Sequence, residues 1–368
     1  MQEIPEPAQT QRNYGVDLLR VTAMCFVVAL HTLGHGGVIA AAAPGSVTAH
    51  TARFAEALMY GAVDIFALIS GYVAMCGPAK RTRLSSWLLL WLETAFYSVG
   101  VTLVFCALRP ADVPLKRVPP MLFPVRNYIY WYFTAYTGLF VVKPLLNAGM
   151  RACSETTAKR IFLAVICAFS AFEICWPHFK IAGGYCFAWI TLLYILGAAM
   201  RVGRIGERTR PAAALAGIVL LSAFAWAWKT FSEFLPESLR RIELVSYISP
   251  AVLGTAICFL VLFSKLRFGK RMRAVIGFAA PGAFAVYLLN THPDIWSMVL
   301  QERFTALAEQ PAPLMLAGVI GFALAFTAAA LLIDRLRRAL EELLHIRAAA
   351  EAAEAFVGRC VDRIGERL

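Results

Sequence analysis

An arginine and a histidine stand eleven residues apart in the first apolar stretch of the chain, Arg20 and His31 in YGVDLLRVTAMCFVVALH. On an α-helix that spacing closes to within roughly 20° of whole turns, so both side chains share one face. The same eleven residues rise roughly 16 Å. A guanidinium at the shallow end can hold phosphate, and an imidazole deeper in is a proton acceptor usable near neutral pH. One elongated anion could touch both. Coenzyme A has that shape, with phosphates at one end and a thioester on a flexible arm. The plainer reading is that Arg20 snorkels and pairs with Asp17 three residues earlier, while His31 hydrogen bonds between helices. His35 follows one turn later, but two histidines do not make a metal site, and no third spaced ligand accompanies them, so no metal is expected.

The elements that must position these groups belong to a membrane. Of 368 residues, 60% are hydrophobic and only 16% charged, and the mean hydropathy is +0.65, a poor match to a soluble domain. Apolar segments near 16–36, 56–77, 84–107, 128–147, 161–177, 182–200, 212–230, 245–264, 274–293 and 313–333 predict an all-α integral-membrane bundle of about ten transmembrane helices. With the N-terminus inside, 23 of the 35 Lys and Arg fall on inner connections and the tail, against ten outside. That bias predicts both termini in the cytoplasm of a multi-pass protein of the plasma (inner) membrane, and it accounts for the net charge of +12 without nucleic acid. A cleaved leader ending near the Ala-rich stretch 39–43 is the alternative; it would leave nine spans. Residues 1–335 then form one membrane domain and 336–368 a short cytoplasmic amphipathic helix, with Arg335, Arg337 and Arg338 at the junction, that touches anionic lipid or pairs two copies. The nine cysteines form no CxxC and read as small buried hydrophobes.

Ionisable side chains inside spans are costly and usually functional. Asp64 could orient the imidazole or balance its proton, or form a helix-end salt bridge. Glu93 and Glu173 are further intramembrane acids. Ser70 and Gly71 suit close helix packing. Trp131 and Tyr132 fit an acceptor path or an interfacial aromatic belt. Intramembrane Asp, Arg and His also mark ion-coupled transporters, the main reading from another class.

Taken together these residues resemble membrane acyltransferase family three, the integral-membrane O-acyltransferases. The family's first span carries D-x-x-R and a His eleven residues beyond the Arg, matched by Asp17, Arg20 and His31. GAVDIFALISGYVAM at 61–75 is similar to its G-V-D-x-F-F-x-x-S-G-F, with Ala67 and Tyr72 in place of Phe. Lys80, Arg81 and Arg83 stand where its basic turn lies, and YIYWYFTAYTGLFVVKPLLN at 128–147 resembles its aromatic start of a Pro-ended span. AVYLLNTHP at 285–293 departs from its Y-L-I-H motif: Asn290 takes the His place, and His292 is shifted by two.

The resemblance implies transfer of an acyl group, most often acetyl, from cytoplasmic acyl-CoA to a hydroxyl of a glycan or lipid-linked acceptor. On that reading His31 is general base or transient acyl carrier, supported by Asp64. Arg20, Arg81 and Arg83 hold the donor's phosphates, and Asp17, Glu93, Trp131 and Tyr132 serve substrate binding.

Overall fold

The computed structural model describes residues 12–79 and 81–365, so Lys80 lies outside the described residues. The described chain is all-helical. In chain order the helices used below are α1 (Tyr14–Leu33), α2 (Val47–Met59), α3 (Ala62–Ala74), α4 (Leu84–Leu108), α5 (Trp131–Ala152), α6 (Glu155–Ile166) and α7 (Phe187–Val202). There follow α8 (Pro211–Thr230), α9 (Pro250–Ser264), α10 (Lys270–Ala279), α11 (Ala283–Asn290), α12 (Ala312–Leu343) and α13 (Ile346–Gly365).

Among the described residues six helical stretches are long and apolar enough to cross a membrane: Tyr14–Ala41, Val47–Ala74, Leu84–Leu108, Pro211–Thr230, Lys270–Asn290 and Ala312–Leu343. The other four expected spans coincide with helices of different character. Helices α7 and α9 are apolar but shorter. Helix α5 carries Lys143, Arg151 and an internal Pro144, and α6 opens on Ser154–Glu155 and passes into a wider π turn over Cys167–Phe172.

Helix α1 begins where the Asn13 side chain accepts the Gly15 and Val16 N–H groups, a side-chain cap for donors that have no partner within the helix. The Asn13 amide also donates to the Ser264 carbonyl at 2.8 Å, and any Cβ at Gly15 would overlap the Phe263 carbonyl oxygen. The start of α1 is therefore fixed against the end of α9. Beyond Leu33 the glycines of 34–37 turn the chain, Gly37 with φ +89°. The Glu302 and Phe304 N–H groups donate to the His35 and Gly36 carbonyls at 3.0 and 2.9 Å, which pins the far end.

Helices α3 and α7 pack most closely. A Cβ at Gly71 would overlap the Tyr194 carbonyl oxygen, and one at Gly197 the Leu68 carbonyl oxygen. Each glycine thus admits the other helix's backbone, the packing that small residues permit in lipid. Outward, α8 and α12 expose Leu215, Leu220, Leu324 and Leu332, the apolar surface that hydrocarbon covers. Helix α12 continues to Leu343 before the chain breaks at Leu344 and His345, so the last span and the start of the expected tail are one rod, and α13 is a separate helix.

The charges at that junction differ from expectation. Arg337 and Arg338 do not face lipid: both form ion pairs with Asp334 at 2.8 Å, and Arg337 also meets Glu341 at 2.8 Å and Glu93 at 3.6 Å. The Tyr97 hydroxyl donates to Asp334 at 3.0 Å. Removing one partner of such a buried pair costs about 3–5 kcal/mol, so the cluster is a clasp between α4 and α12. Glu93 belongs to this clasp, away from the groups near Arg20 and His31. Glu173 likewise has a local duty, accepting the Phe179 and Ile181 N–H groups at 2.8 and 3.4 Å.

Candidate active site

Two cavities lie end to end along α1. The first, about 650 Å³, is lined by Arg12, Arg20, Arg81, Arg83, Lys143 and Arg201, with Asp17 as its one carboxylate. The second, about 680 Å³, is aromatic: Tyr60, Trp131, Tyr132, Tyr185, Tyr247 and Trp296 surround His31 and His35, with Glu56 on its wall. Three helices carry both linings on one face. Asp17 and Arg20 on α1 face the basic cavity, and Met24, Val27 and His31 the aromatic one. On α3, Ser70 and Val73 line the first, Val63 and Phe66 the second. On α5, Tyr136, Phe140 and Lys143 line the first, Trp131 and Tyr132 the second. These are steps of three or four residues along each helix, the spacing of a single stripe. On each of these helices the lining changes from basic to aromatic within about one turn, between Arg20 and Met24, Ser70 and Phe66, Tyr136 and Tyr132.

Within the basic cavity Arg20 is held by Asp17 at 3.4 Å, and Arg12 bonds the other Asp17 oxygen. One carboxylate thus orders two guanidiniums, which fits Asp17 as a positioning group. Arg83 pairs with Glu351 of α13 at 3.7 Å. Arg81 makes no ion pair among the described residues.

In the aromatic cavity the His31 Nδ1–H donates to the Asn290 side-chain oxygen. That leaves Nε2 as the lone-pair atom of the ring. Trp296 meets His31 edge-on, centroids 4.6 Å apart, and stacks on His35 at 4.1 Å; the His35 Nε2–H donates to the Trp296 carbonyl at 3.0 Å. The ring faces of Trp131, Tyr185 and Tyr247 cluster on another wall, with centroids 4.9 Å apart for Trp131–Tyr185 and Tyr185–Tyr247. Among the described residues no group of three or more His, Cys, Asp or Glu side chains is disposed to hold a metal ion.

Asn290 is steadied from behind. The His292 Nε2–H donates to the Ser98 carbonyl at 3.0 Å and its Nδ1 accepts the Asp294 N–H at 3.1 Å, while Arg117 pairs with Asp294 at 2.8 Å. The end of α11 is thereby tied to α4. His292 is spent on this tie and takes no place in the cavity.

A family model for an acyltransferase domain matches residues 13–334. The chain belongs to acyltransferase family 3. It is a multi-pass membrane acyltransferase that transfers acyl groups other than aminoacyl. Comparison with curated proteins and with solved structures gives no match.

The structure brings Arg20, Arg81, Arg83 and Asp17 of this acyltransferase to one cavity, and His31, Trp131 and Tyr132 to the next. Asp64 joins neither lining. It is fully buried, and one oxygen accepts the Trp189 indole N–H at 3.1 Å. The residue hydrogen-bonded to the imidazole is Asn290, 259 positions away in the chain, and the bond to the ring expected of Asp64 is not formed among the described residues. The only signal of Asn290 in the sequence was that it replaced the family's late histidine. Trp296 gave no signal. Replacing Asn290 with alanine in the acyltransferase removes the bond that sets the ring's tautomer and angle. Turnover should fall about two- to tenfold, the loss of roughly one neutral hydrogen bond, with the donor concentration for half-maximal rate little changed. Steady-state kinetics of purified Asn290→Ala checks this.

Proposed function

We propose that this acyltransferase takes an acyl group, acetyl foremost, from cytoplasmic acyl-CoA and delivers it to a hydroxyl of a glycan or lipid-linked envelope acceptor, in the plasma (inner) membrane of its cell. The observation that carries the reading is the alignment of a cationic cavity and an imidazole-bearing aromatic cavity along one face of α1, α3 and α5. Phosphates suit the first, where guanidiniums outnumber carboxylates. Ring-stacking surfaces and tyrosine hydroxyls suit a sugar in the second. The flexible pantetheine arm reaches from the first to the second.

In the chemical step His31 Nε2 accepts the acceptor hydroxyl's proton as its oxygen attacks the thioester carbon. The new O–C bond forms, the C–S bond breaks, and the leaving thiolate takes the proton from the His31 imidazolium, giving free CoA thiol and the neutral ring. Asn290 holds the ring so that Nε2, not Nδ1, faces the reacting groups. An acyl group passing first to Nε2 would use the same atom; label retained on protein lacking acceptor would select that route.

The orientation follows the same geometry. Arg12 and Arg81 line one cavity, and α13 pairs with Arg83, so the start of α1, the turn near 81–83 and the tail share one end, the end that the basic bias assigns to the cytoplasm. On this reading there are ten crossings, the shorter helices included.

The test is purified protein with acetyl-CoA and a glycan acceptor, free CoA being measured by chromatography. Acceptor-dependent CoA release with ester formation is expected. Solute uptake into vesicles without CoA release would replace this reading with the transporter.

A further inference from the structure

Helix α13 lies beyond the residues 13–334 that the family shares, yet its contact with the membrane domain is specific. One Glu354 carboxylate oxygen accepts the Leu84 N–H at 3.2 Å. The other accepts the Ser85 N–H at 3.3 Å and the Ser85 hydroxyl at 2.6 Å. Leu84 and Ser85 open α4, and Arg83 at its cap supplies no side-chain acceptor. The first N–H groups of a helix have no partner within it and form its positive end. A carboxylate from 270 positions away therefore does what Asp or Ser at the cap would do locally. One turn along α13, Glu351 faces Arg83 at 3.7 Å. The capped segment is the rim of the basic cavity, where Arg81, Arg83, Ser86 and Trp87 line it.

We propose that α13 is a clamp on the donor cavity: Glu354 is a positioning residue that fixes the start of α4 and so holds Arg81 and Arg83 where they meet the donor's phosphates. The link to the donor rests on the acyl-CoA reading above; the clamp itself does not. The Ser85 hydroxyl, with the two N–H groups and Arg83, holds the Glu354 carboxyl below the usual carboxylate range, so the clamp is charged at neutral pH. The tail sets donor affinity and takes no part in the chemistry.

The test uses full-length Glu354→Ala and Glu354→Gln. In the alanine variant the KM for acetyl-CoA should rise three- to tenfold, with kcat and the acceptor KM within twofold, and tryptic cleavage after Arg81 or Arg83 should quicken by a similar factor. The glutamine variant keeps an oxygen that accepts one N–H and should fall between. Unchanged cleavage in Glu354→Ala overturns the clamp. Faster cleavage with an unchanged acetyl-CoA KM overturns its link to donor affinity. A wild-type protein that does not turn over acetyl-CoA fails the reading of the cavity, and the cleavage rates then decide the clamp alone.

Discussion

His31→Ala should lower kcat by about 10²–10⁴-fold, the usual contribution of a positioned proton acceptor, while the KM for acyl-CoA stays within a few fold. The reason is local. His31 Nδ1 is engaged by Asn290, Trp296 packs against the ring, and Nε2 keeps the lone pair that the proposed proton transfer needs. None of the arginines proposed to bind the donor touches it, so binding and chemistry should separate. Initial rates at saturating donor, on protein whose thermal transition matches wild type, provide the check. Turnover near the wild-type rate would remove the imidazole from the reaction.

Arg20→Ala should act on the other quantity. A hydrogen bond to a charged group is worth about 1.5–3 kcal/mol, and each 1.4 kcal/mol is a factor of ten. The KM for acyl-CoA should therefore rise roughly ten- to hundredfold, with the acceptor KM unchanged. Arg12 remains on Asp17, which keeps the carboxylate paired and the start of α1 in place. Parallel titrations of donor and acceptor make the measurement; equal shifts in both would sink the assignment of this cavity to the donor.

What the sequence made legible was whatever one helix decides alone. Eleven residues within α1 put Arg20 and His31 on one stripe, and the structure keeps them there, although each opens into its own cavity. Arg81, Arg83, Trp131 and Tyr132 were placed through motifs, and they line those cavities. What crosses between helices was not legible. Asp64 and Glu93 are intramembrane acids of the same kind, yet Trp189 takes one and Arg337 the other, and no periodicity says which helix lies opposite. The basic start of the tail looked lipid-facing because Asp334 and Glu93, its partners, are respectively adjacent and some 240 positions distant. The span count met a similar limit. Hydropathy windows find apolar runs, whereas Pro144, Lys143 and the π turn at 167–172 make helices that length and composition alone do not certify as crossings.

The change of lining between Arg20 and Met24 bears on how such an enzyme can diversify. The two cavities share three helices and, among the described residues, no lining residue. Substitutions at Trp131 or Tyr185 can therefore reshape what the aromatic recess admits while the arginine-lined recess keeps its composition, so the two can diverge independently in related enzymes.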